Sequence, residues 1–212
     1  NGGPEDRYMR QYIITGIGHL QHLKGDERGN SELNNIIKKA LAFLDKKVKE
    51  DYDNLVKSKA DLNKQQPGYI QVQYLYMRSF FPKNAVAPIA QTAYTYYRRQ
   101  AQRHWQTQNK YMQGMTALAL HRTADLQTPK DILRSLEETA IVHEELGMYW
   151  KSVGYGISSF WWHAPIETQA LLIEAFVEIT KDTKTVDALK TWLIKNKQTM
   201  AWRTTKATAD AC

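Results

Sequence analysis

The sequence has few of the residues that cross-link a chain or hold it in a membrane. Among its 212 residues there is one cysteine, Cys212, at the last position. An intrachain disulfide is therefore excluded, so packing alone must stabilise the chain, and the redox compartment stays open. No apolar run reaches the roughly 18 residues that a membrane-spanning helix needs, which predicts no membrane insertion by this segment.

Acidic residues are fewer than basic ones, yet the imbalance does not predict a nucleic-acid partner. Lys and Arg number 29 against 22 Asp and Glu, a net charge of +7, but both signs are mixed along the predicted helices. The densest basic stretch is 98–104, in which Arg99 and Arg103 share one helix face at i,i+4 spacing. No nucleic-acid-binding motif accompanies it, so we interpret it as a solvated helix face.

The sequence also lacks clusters of metal ligands and activated nucleophiles. His19 and His22 stand three apart on a predicted helix, a spacing compatible with a metal ion, but a third ligand is missing. His121 and His143 are isolated, and Cys212 has no neighbouring base in the sequence that would activate its thiol. We therefore predict no metal, no cofactor and no catalytic residue.

Helical periodicity is what the sequence has in abundance. Apolar residues recur at three- and four-residue spacing almost throughout, and strand signals are nearly absent. Ser31 and Thr128 are typical N-caps, and Pro67-Gly68 is typical of a break between helices. The sequence predicts an all-α fold with a last helix that begins near Thr204, after eight others. The second begins after Ser31, has apolar positions to Val48 and precedes the break at Pro67-Gly68; the others are at 12–23, 70–81, 87–105, 111–124, 128–147, 165–180 and 186–196.

The helices are of two kinds, and their alternation predicts a ring. Segments 12–23, 74–81, 115–120 and 168–176 have broad apolar faces, as expected of helices covered on more than one side. The intervening helices have a narrower stripe, as expected of outer helices facing water. We therefore predict a single domain, 1–212, forming part of an α/α toroid of about four and a half helical hairpins. Because the last helix is shorter than an isolated helix needs, we expect a fragment of a larger multidomain protein.

A repeated pattern within the chain fits this alternation. The same spacing of apolar residues occurs in two helices, and we call this the internal echo. The apolar residues of the second helix recur at identical spacings in the eighth: Ile37, Ala40, Phe43 and Leu44 correspond to Val186, Leu189, Trp192 and Leu193. Two unrelated amphipathic helices can also match at four positions. The echo is therefore compatible with repetition without requiring it.

One group of residues could carry chemistry. Trp150, Trp161, Trp162, His163 and Glu167 lie close together around the only long irregular stretch of the sequence. Aromatic rings beside a histidine and a carboxylate can line a sugar pocket or a general acid–base site. The simpler interpretation, which we favour, is that the tryptophans pack one end of the fold and that Glu167 stabilises the positive N-terminus of its helix.

The last quarter of the chain carries motifs of a known family. Segment 165–176 opens with Pro-Ile-Glu-Thr-Gln-Ala, 191–198 is Thr-Trp-Leu-Ile-Lys-Asn-Lys-Gln, and 202–211 begins with Trp-Arg-Thr-Thr-Lys-Ala-Thr. These segments resemble the closing part of the helical thioester-type domain of alpha-2-macroglobulins and complement components. Segment 6–20, after the glycines of 1–3, is similar to an earlier inner helix of bacterial members. The similarity is weakest over 82–145.

The resemblance implies an α/α toroid in a bacterial protein that traps proteases. It also implies an extracytoplasmic location, in the periplasm or cell envelope with a lipoprotein among the options, and partners that are other domains of the same parent protein and proteases. The family's thioester requires a Cys-x-Glu-Gln stretch, which is absent here and would lie upstream of Asn1. The histidine that assists thioester transfer in complement members would fall at 67–73, where this sequence has Tyr69 and Gln71, which argues against that transacylation chemistry.

Two other functions stay open. An α/α-toroid enzyme acting on carbohydrate or terpenoid substrates would also alternate inner and outer helices, but it needs two converging carboxylates. The obvious acids on inner helices are Glu167 and Glu174, which stand seven residues apart, about 10 Å along one helix. A scaffold that binds partner helices is the third hypothesis.

Overall fold

The fold is seen in a computed structural model that describes residues 6–24, 31–151 and 165–199. These ranges contain eight α-helices and one short β-hairpin, which confirms the all-α prediction. The elements are α1 (Arg7–Lys24), α2 (Ser31–Lys57), α3 (Tyr69–Ser79), α4 (Gln91–His104), α5 (Lys110–Arg122), α6 (Thr128–Glu138), β1 (Ile141–His143), β2 (Gly147–Tyr149), α7 (Pro165–Ile179) and α8 (Thr183–Thr199). The predicted helix near Thr204 lies outside the described residues.

The prediction was wrong about the extent of the sixth helix. We predicted that it runs towards Gly147, but α6 ends at Glu138 and Ile141–His143 pairs with Gly147–Tyr149 as an antiparallel hairpin. Gly147 has a φ of +78°, a left-handed conformation that glycine adopts readily and that a right-handed helix excludes. The hairpin therefore replaces the last predicted helical turns.

The start of α8 and the N-cap of α6 differ from the prediction. Asp182 Oδ1 accepts the Lys184 backbone N–H at 3.0 Å, so α8 begins three residues before the predicted Val186. Asp125 Oδ1 accepts the Thr128 N–H at 3.0 Å. Gln127 is the N-cap of α6, and Thr128, which we predicted as the N-cap, is its first helical residue.

The chain forms two compact units. Unit 1 consists of residues 1–105 with 122–124, and unit 2 consists of residues 106–121 with 125–212. Helices α1 to α4 thus belong to unit 1, whereas nearly all of α5, the hairpin and α6 to α8 belong to unit 2.

In unit 1, α3 is the central helix. Its residues from Val72 to Ser79 are all buried, and α1, α2 and α4 pack against it. The contact with α1 is close at Gly18, where an added Cβ would lie 2.7 Å from Phe80 Cβ. Because α2 buries a single stripe that includes Ile37, Leu44 and Val48, it has the pattern predicted for an outer helix.

The prediction that the first helix buries a broad face is wrong. Gln11 and Ile14 are buried, but Ile13, Leu20 and Leu23 on the same helix are exposed. In unit 1, α1 therefore buries one narrow face, which packs on α2 and α3.

In unit 2, α5 is buried at every residue from Gly114 to Leu120. Gly114 lets α7 approach, because a Cβ there would lie 3.0 Å from Leu172 Cδ2. Helix α7 also packs on α8, where Ile166 and Leu193 form a small apolar cluster.

The hairpin of unit 2 lies directly on the backbone of α8. A Cβ on Gly147 would stand 2.2 Å from the Ala188 carbonyl oxygen, so only glycine fits there. Beside it, the Tyr149 ring stacks on Trp192 with centroids 5.8 Å apart and planes 18° from parallel. The close approach at Gly147 and the stacked rings thereby position the three-residue strand β2 against α8.

The internal echo extends to burial. In α2, Ile37, Ala40 and Leu44 are buried, and the corresponding residues of α8, which are Val186, Leu189 and Leu193, are buried as well. The aromatic at the remaining position, Phe43 or Trp192, is half-buried in both helices. Each helix thus presents the same kind of stripe to its own unit.

Candidate functional site

The most buried charged group in the described part of the molecule surrounds Asp45 in unit 1. Tyr74 and Arg78 stand one helical turn apart on α3, so both reach the same side of α2. The Tyr74 hydroxyl donates to Asp45 Oδ1 at 2.6 Å, and the Ala87 backbone N–H donates to Oδ2 at 2.7 Å. Arg78 Nε lies 3.5 Å from Oδ1, an ion pair without hydrogen-bond geometry. Asp45 therefore joins α2, α3 and the segment that leads into α4.

Solvent exclusion affects the pKa of Tyr74 in this group. The side chains of Asp45 and Arg78 are each 2% exposed. Burial, and after it the negative charge of Asp45, raises the pKa of Tyr74, so the phenol stays protonated and remains a donor. Because both carboxylate oxygens already accept from protein donors, the arrangement suits anchoring better than proton transfer to a substrate.

Arg78 is only partly satisfied. Its Nη2 donates to the Asn84 carbonyl oxygen at 3.0 Å, which fixes the turn after α3. Its Nη1 is buried and has no hydrogen-bond partner among the described residues. A buried guanidinium in this state depends on the charge of Asp45 for its stability.

A second polar network joins α1, α2 and α3. Arg7 Nη1 on α1 donates to Asp51 on α2 at 2.9 Å, and Gln71 Nε2 on α3 donates to Asp51 Oδ2 at 2.7 Å. The amide of Gln11 continues the network, donating to Gln73 Oε1 at 3.1 Å. Two aspartates six residues apart on α2 thus anchor polar contacts to the neighbouring helices of unit 1.

The structure places two of the five predicted site residues. Trp150 is buried, and its indole N–H donates to the Leu136 carbonyl oxygen at 2.8 Å. Glu167 is buried in the first turn of α7. Both positions have the environment expected of packed residues. Trp161, Trp162 and His163 lie outside the described residues.

A buried glutamine in unit 2 joins the elements next to these residues. Gln169 Nε2 on α7 donates to the carbonyl oxygens of Met148 and Leu189, at 2.8 and 3.1 Å. It thereby fastens β2 and α8 to α7 through one amide. Gln169 was not among the site residues predicted from the sequence.

The histidine pair on α1 packs on an aromatic ring. His19 and His22 meet the Phe80 ring edge-on, with centroids 5.7 and 6.0 Å away. The guanidinium of Arg122 lies 4.3 Å from the centre of the same ring. Over residues 6–24, 31–151 and 165–199, no group of three or more His, Cys, Asp or Glu side chains is arranged to hold a metal ion.

The basic stretch of α4 divides between packing and solvent. Arg98 donates from Nε to Thr123 Oγ1 at 3.3 Å and from Nη2 to the Thr123 carbonyl oxygen at 3.1 Å. Arg99 and Arg103 are exposed, in keeping with a solvated helix face.

Among the helices of the described ranges, no segment has the length and hydropathy of a membrane-spanning helix.

The Asp45 group was not predicted from the sequence, although the position of Asp45 on α2 is a signal for it. The buried stripe of α2 runs through Ile37, Leu41, Leu44 and Val48, and Asp45 falls on it, four residues after Leu41. A charge inside an apolar stripe predicts a buried partner. Which residue that partner is depends on the packing of α2 against α3, which local periodicity does not encode.

Comparison with known proteins adds no family assignment. No family model matches the sequence, and no curated protein matches it. A proposal for the function of this chain must therefore rest on its own residues and their contacts.

Proposed function

We propose that this chain is a non-catalytic α/α-toroid domain of a bacterial alpha-2-macroglobulin-like protein that contributes to protease trapping. The proposal combines the motifs in 165–211 with the all-helical fold. It includes an extracytoplasmic location and contacts with other domains of the same parent protein.

The observation that supports the proposal most is the alternation of burial along the chain. Helices α3 and α5 are buried over eight and seven successive residues, from Val72 to Ser79 and from Gly114 to Leu120. Helices α2, α4, α6 and α8 bury single stripes between them. Inner helices that alternate with outer ones are what a toroid of hairpins requires, and α1 is the exception.

The residues give less support to an enzyme acting on carbohydrate or terpenoid substrates. Such a site needs a free carboxylate pair around a substrate. Asp45 is engaged by Tyr74, Arg78 and the Ala87 N–H, so its oxygens are already used for anchoring. A supporting role for the helices within a larger protein fits these contacts better.

The test uses the full-length protein that contains this chain, challenged with several proteases. We expect a trapped protease to lose activity on a large protein substrate while it keeps activity on a small chromogenic peptide. Asp45→Ala is expected to reduce this shielding, and the exposed neighbour Lys46→Ala serves as the matched control that leaves it unchanged. A protease that stays fully active on the large substrate after cleaving the protein would refute the trapping role.

A further inference from the structure

The outward side of α1 is apolar along most of the helix. Six residues at three- and four-residue spacing are exposed there, and together we call them the outer α1 face: Met9, Tyr12, Ile13, Gly16, Leu20 and Leu23. The five side chains are between 38% and 69% exposed. Between Arg7 and Leu23, no Lys, Arg, Asp or Glu of α1 is in the exposed class. The outer side of α2, by contrast, exposes lysines such as Lys38 and Lys46.

The outer α1 face is nearly symmetric about Gly16. Met9 and Leu23 stand seven residues before and after it, and Tyr12 and Leu20 stand four residues before and after it. If two such helices cross antiparallel with Gly16 on the two-fold axis, Met9 of one copy meets Leu23 of the other. Tyr12 then meets Leu20 in the same way. A face with this symmetry is complementary to itself, which an isologous dimer requires.

Gly16 has no packing role among the described residues of unit 1. An added Cβ there would meet none of them within 4 Å, whereas two residues later the Cβ of a substituted Gly18 would overlap Phe80. Glycine in a helix interior costs about 0.5–1 kcal/mol relative to alanine. Gly18 has a reason to be glycine, namely the approach of α3. A glycine at position 16 would have the same role if the backbone of a second molecule approached the outer α1 face.

The exposed area fits a weak dimer. From the exposed fractions, the five side chains leave roughly 500 Å² per copy, so a symmetric pair would bury roughly 1,000 Å², the lower limit of specific interfaces. Because the face carries no charge, the net charge of +7 produces no close repulsion at the contact. We propose that the outer α1 face binds a second copy of this chain in an antiparallel pair centred on Gly16.

The test is the oligomeric state of the 212-residue chain, measured by sedimentation over about 1 μM to about 1 mM protein, the range of weak association. We expect the average mass of the wild type to rise with concentration towards twice the monomer mass. Leu20→Glu should weaken the association at least about 100-fold, since it introduces two unpaired charges into one small interface. Ile194→Glu is the matched control: both residues are 58% exposed on a helix, and the control should associate like the wild type.

The register is tested by a charge pair. Leu23→Glu alone should abolish association, and adding Met9→Lys should restore it, because the antiparallel pairing places Lys opposite Glu twice. Equal helicity by circular dichroism verifies that these exposed substitutions leave the fold intact. A wild type that stays monomeric to about 1 mM overturns the proposal and leaves the face to a different partner. Association that survives Leu20→Glu, or that Ile194→Glu abolishes, overturns it too.

Discussion

The two units are held together by different physical means. In unit 1, charged and polar side chains reach from helix to helix, with Asp45 and Asp51 of α2 at the centre of two networks. In unit 2, the closest contacts are steric: Gly147 lies against the backbone of α8, and Gly114 lies against leucines of α7. The polar contact that joins three elements of unit 2, through Gln169, uses a neutral amide.

The difference shows what each unit tolerates. Removing one partner of a buried ion pair strongly destabilises a protein, because the other charge is left buried and uncompensated. A close backbone contact at a glycine does not depend on charge. An added methyl group would overlap the opposing atoms and disrupt the contact, because glycine is the one residue without a Cβ. Unit 1 should therefore be vulnerable to loss of charge, and unit 2 to added volume.

The largest effect is expected for Asp45→Ala in unit 1. Removing the carboxylate leaves Arg78 buried without its counter-charge, which should lower the free energy of unfolding by about 3–5 kcal/mol. Asp53→Ala on the same helix is the matched control: its ion pair with Lys49 is more than a third exposed, so the loss should stay below about 1 kcal/mol. Urea unfolding measures both, and equal losses would contradict the role assigned to the Asp45 network.

The corresponding test in unit 2 is Gly147→Ala. Alanine would have to adopt a φ of +78° with its Cβ 2.2 Å from the Ala188 carbonyl oxygen, so either the hairpin or α8 must move. We expect a loss of about 2–4 kcal/mol, from the left-handed conformation and the displaced packing together. Glu145→Ala, at an exposed turn position, should be nearly neutral. A thermal melt of Gly147→Ala that matches the wild type would refute the close hairpin contact.

A pair of glycines on α1 tests whether shape also matters in unit 1. Gly18→Ala should cost about 1–3 kcal/mol, because its Cβ would overlap Phe80. Gly16→Ala adds its Cβ to open space and should stabilise the monomer by about 0.5–1 kcal/mol through better helix propensity. Chemical denaturation at low protein concentration compares the two. Effects of the same sign would show that α1 does not meet α3 at Gly18.

Alkaline pH should affect unit 1 first. Burial raises the pKa of Tyr8 to about 12, and burial followed by the charge of Asp51 raises the pKa of Tyr97. Burial likewise raises the pKa of Tyr94. A raised pKa in the folded state means that stability is complete below pH 10, the ordinary tyrosine value, and is lost as pH rises from there towards 12.

The sequence supplies separate probes for this titration. Among the described residues, all tyrosines except Tyr111 and Tyr149 belong to unit 1, and all tryptophans except Trp105 belong to unit 2. Tyrosinate absorbance therefore follows unit 1, and tryptophan fluorescence follows mainly unit 2. We expect the absorbance change to precede the fluorescence change. The opposite order would mean that the buried tyrosines do not limit stability in base.

Much of the fold could be predicted because helices are local. Periodic apolar residues located all eight helices of the described ranges, and the stripe of α2 was recognisable from Ile37 and Leu44. The hairpin was missed because two three-residue strands carry too little alternation to outweigh the preceding helix. Its one distinctive residue, Gly147, is informative only once its left-handed φ is known.

The polar networks could not be predicted because their members are distant in sequence. Asp45 lies 29 residues from Tyr74, and Arg7 lies 44 residues from Asp51. Their pairing follows from how α1, α2 and α3 pack, not from any local motif. The predicted aromatic cluster was local, so Trp150 and Glu167 could be identified as buried candidates, but the partner of Trp150, the Leu136 carbonyl oxygen, could not.

Native-state hydrogen exchange of Asp45→Ala beside Gly147→Ala tests most directly whether charge stabilises one unit and shape the other. The account predicts that Asp45→Ala accelerates exchange chiefly in α2, α3 and α4, and that Gly147→Ala accelerates it chiefly in the hairpin, α7 and α8. The same pattern of lost protection across all helices in both variants would contradict it.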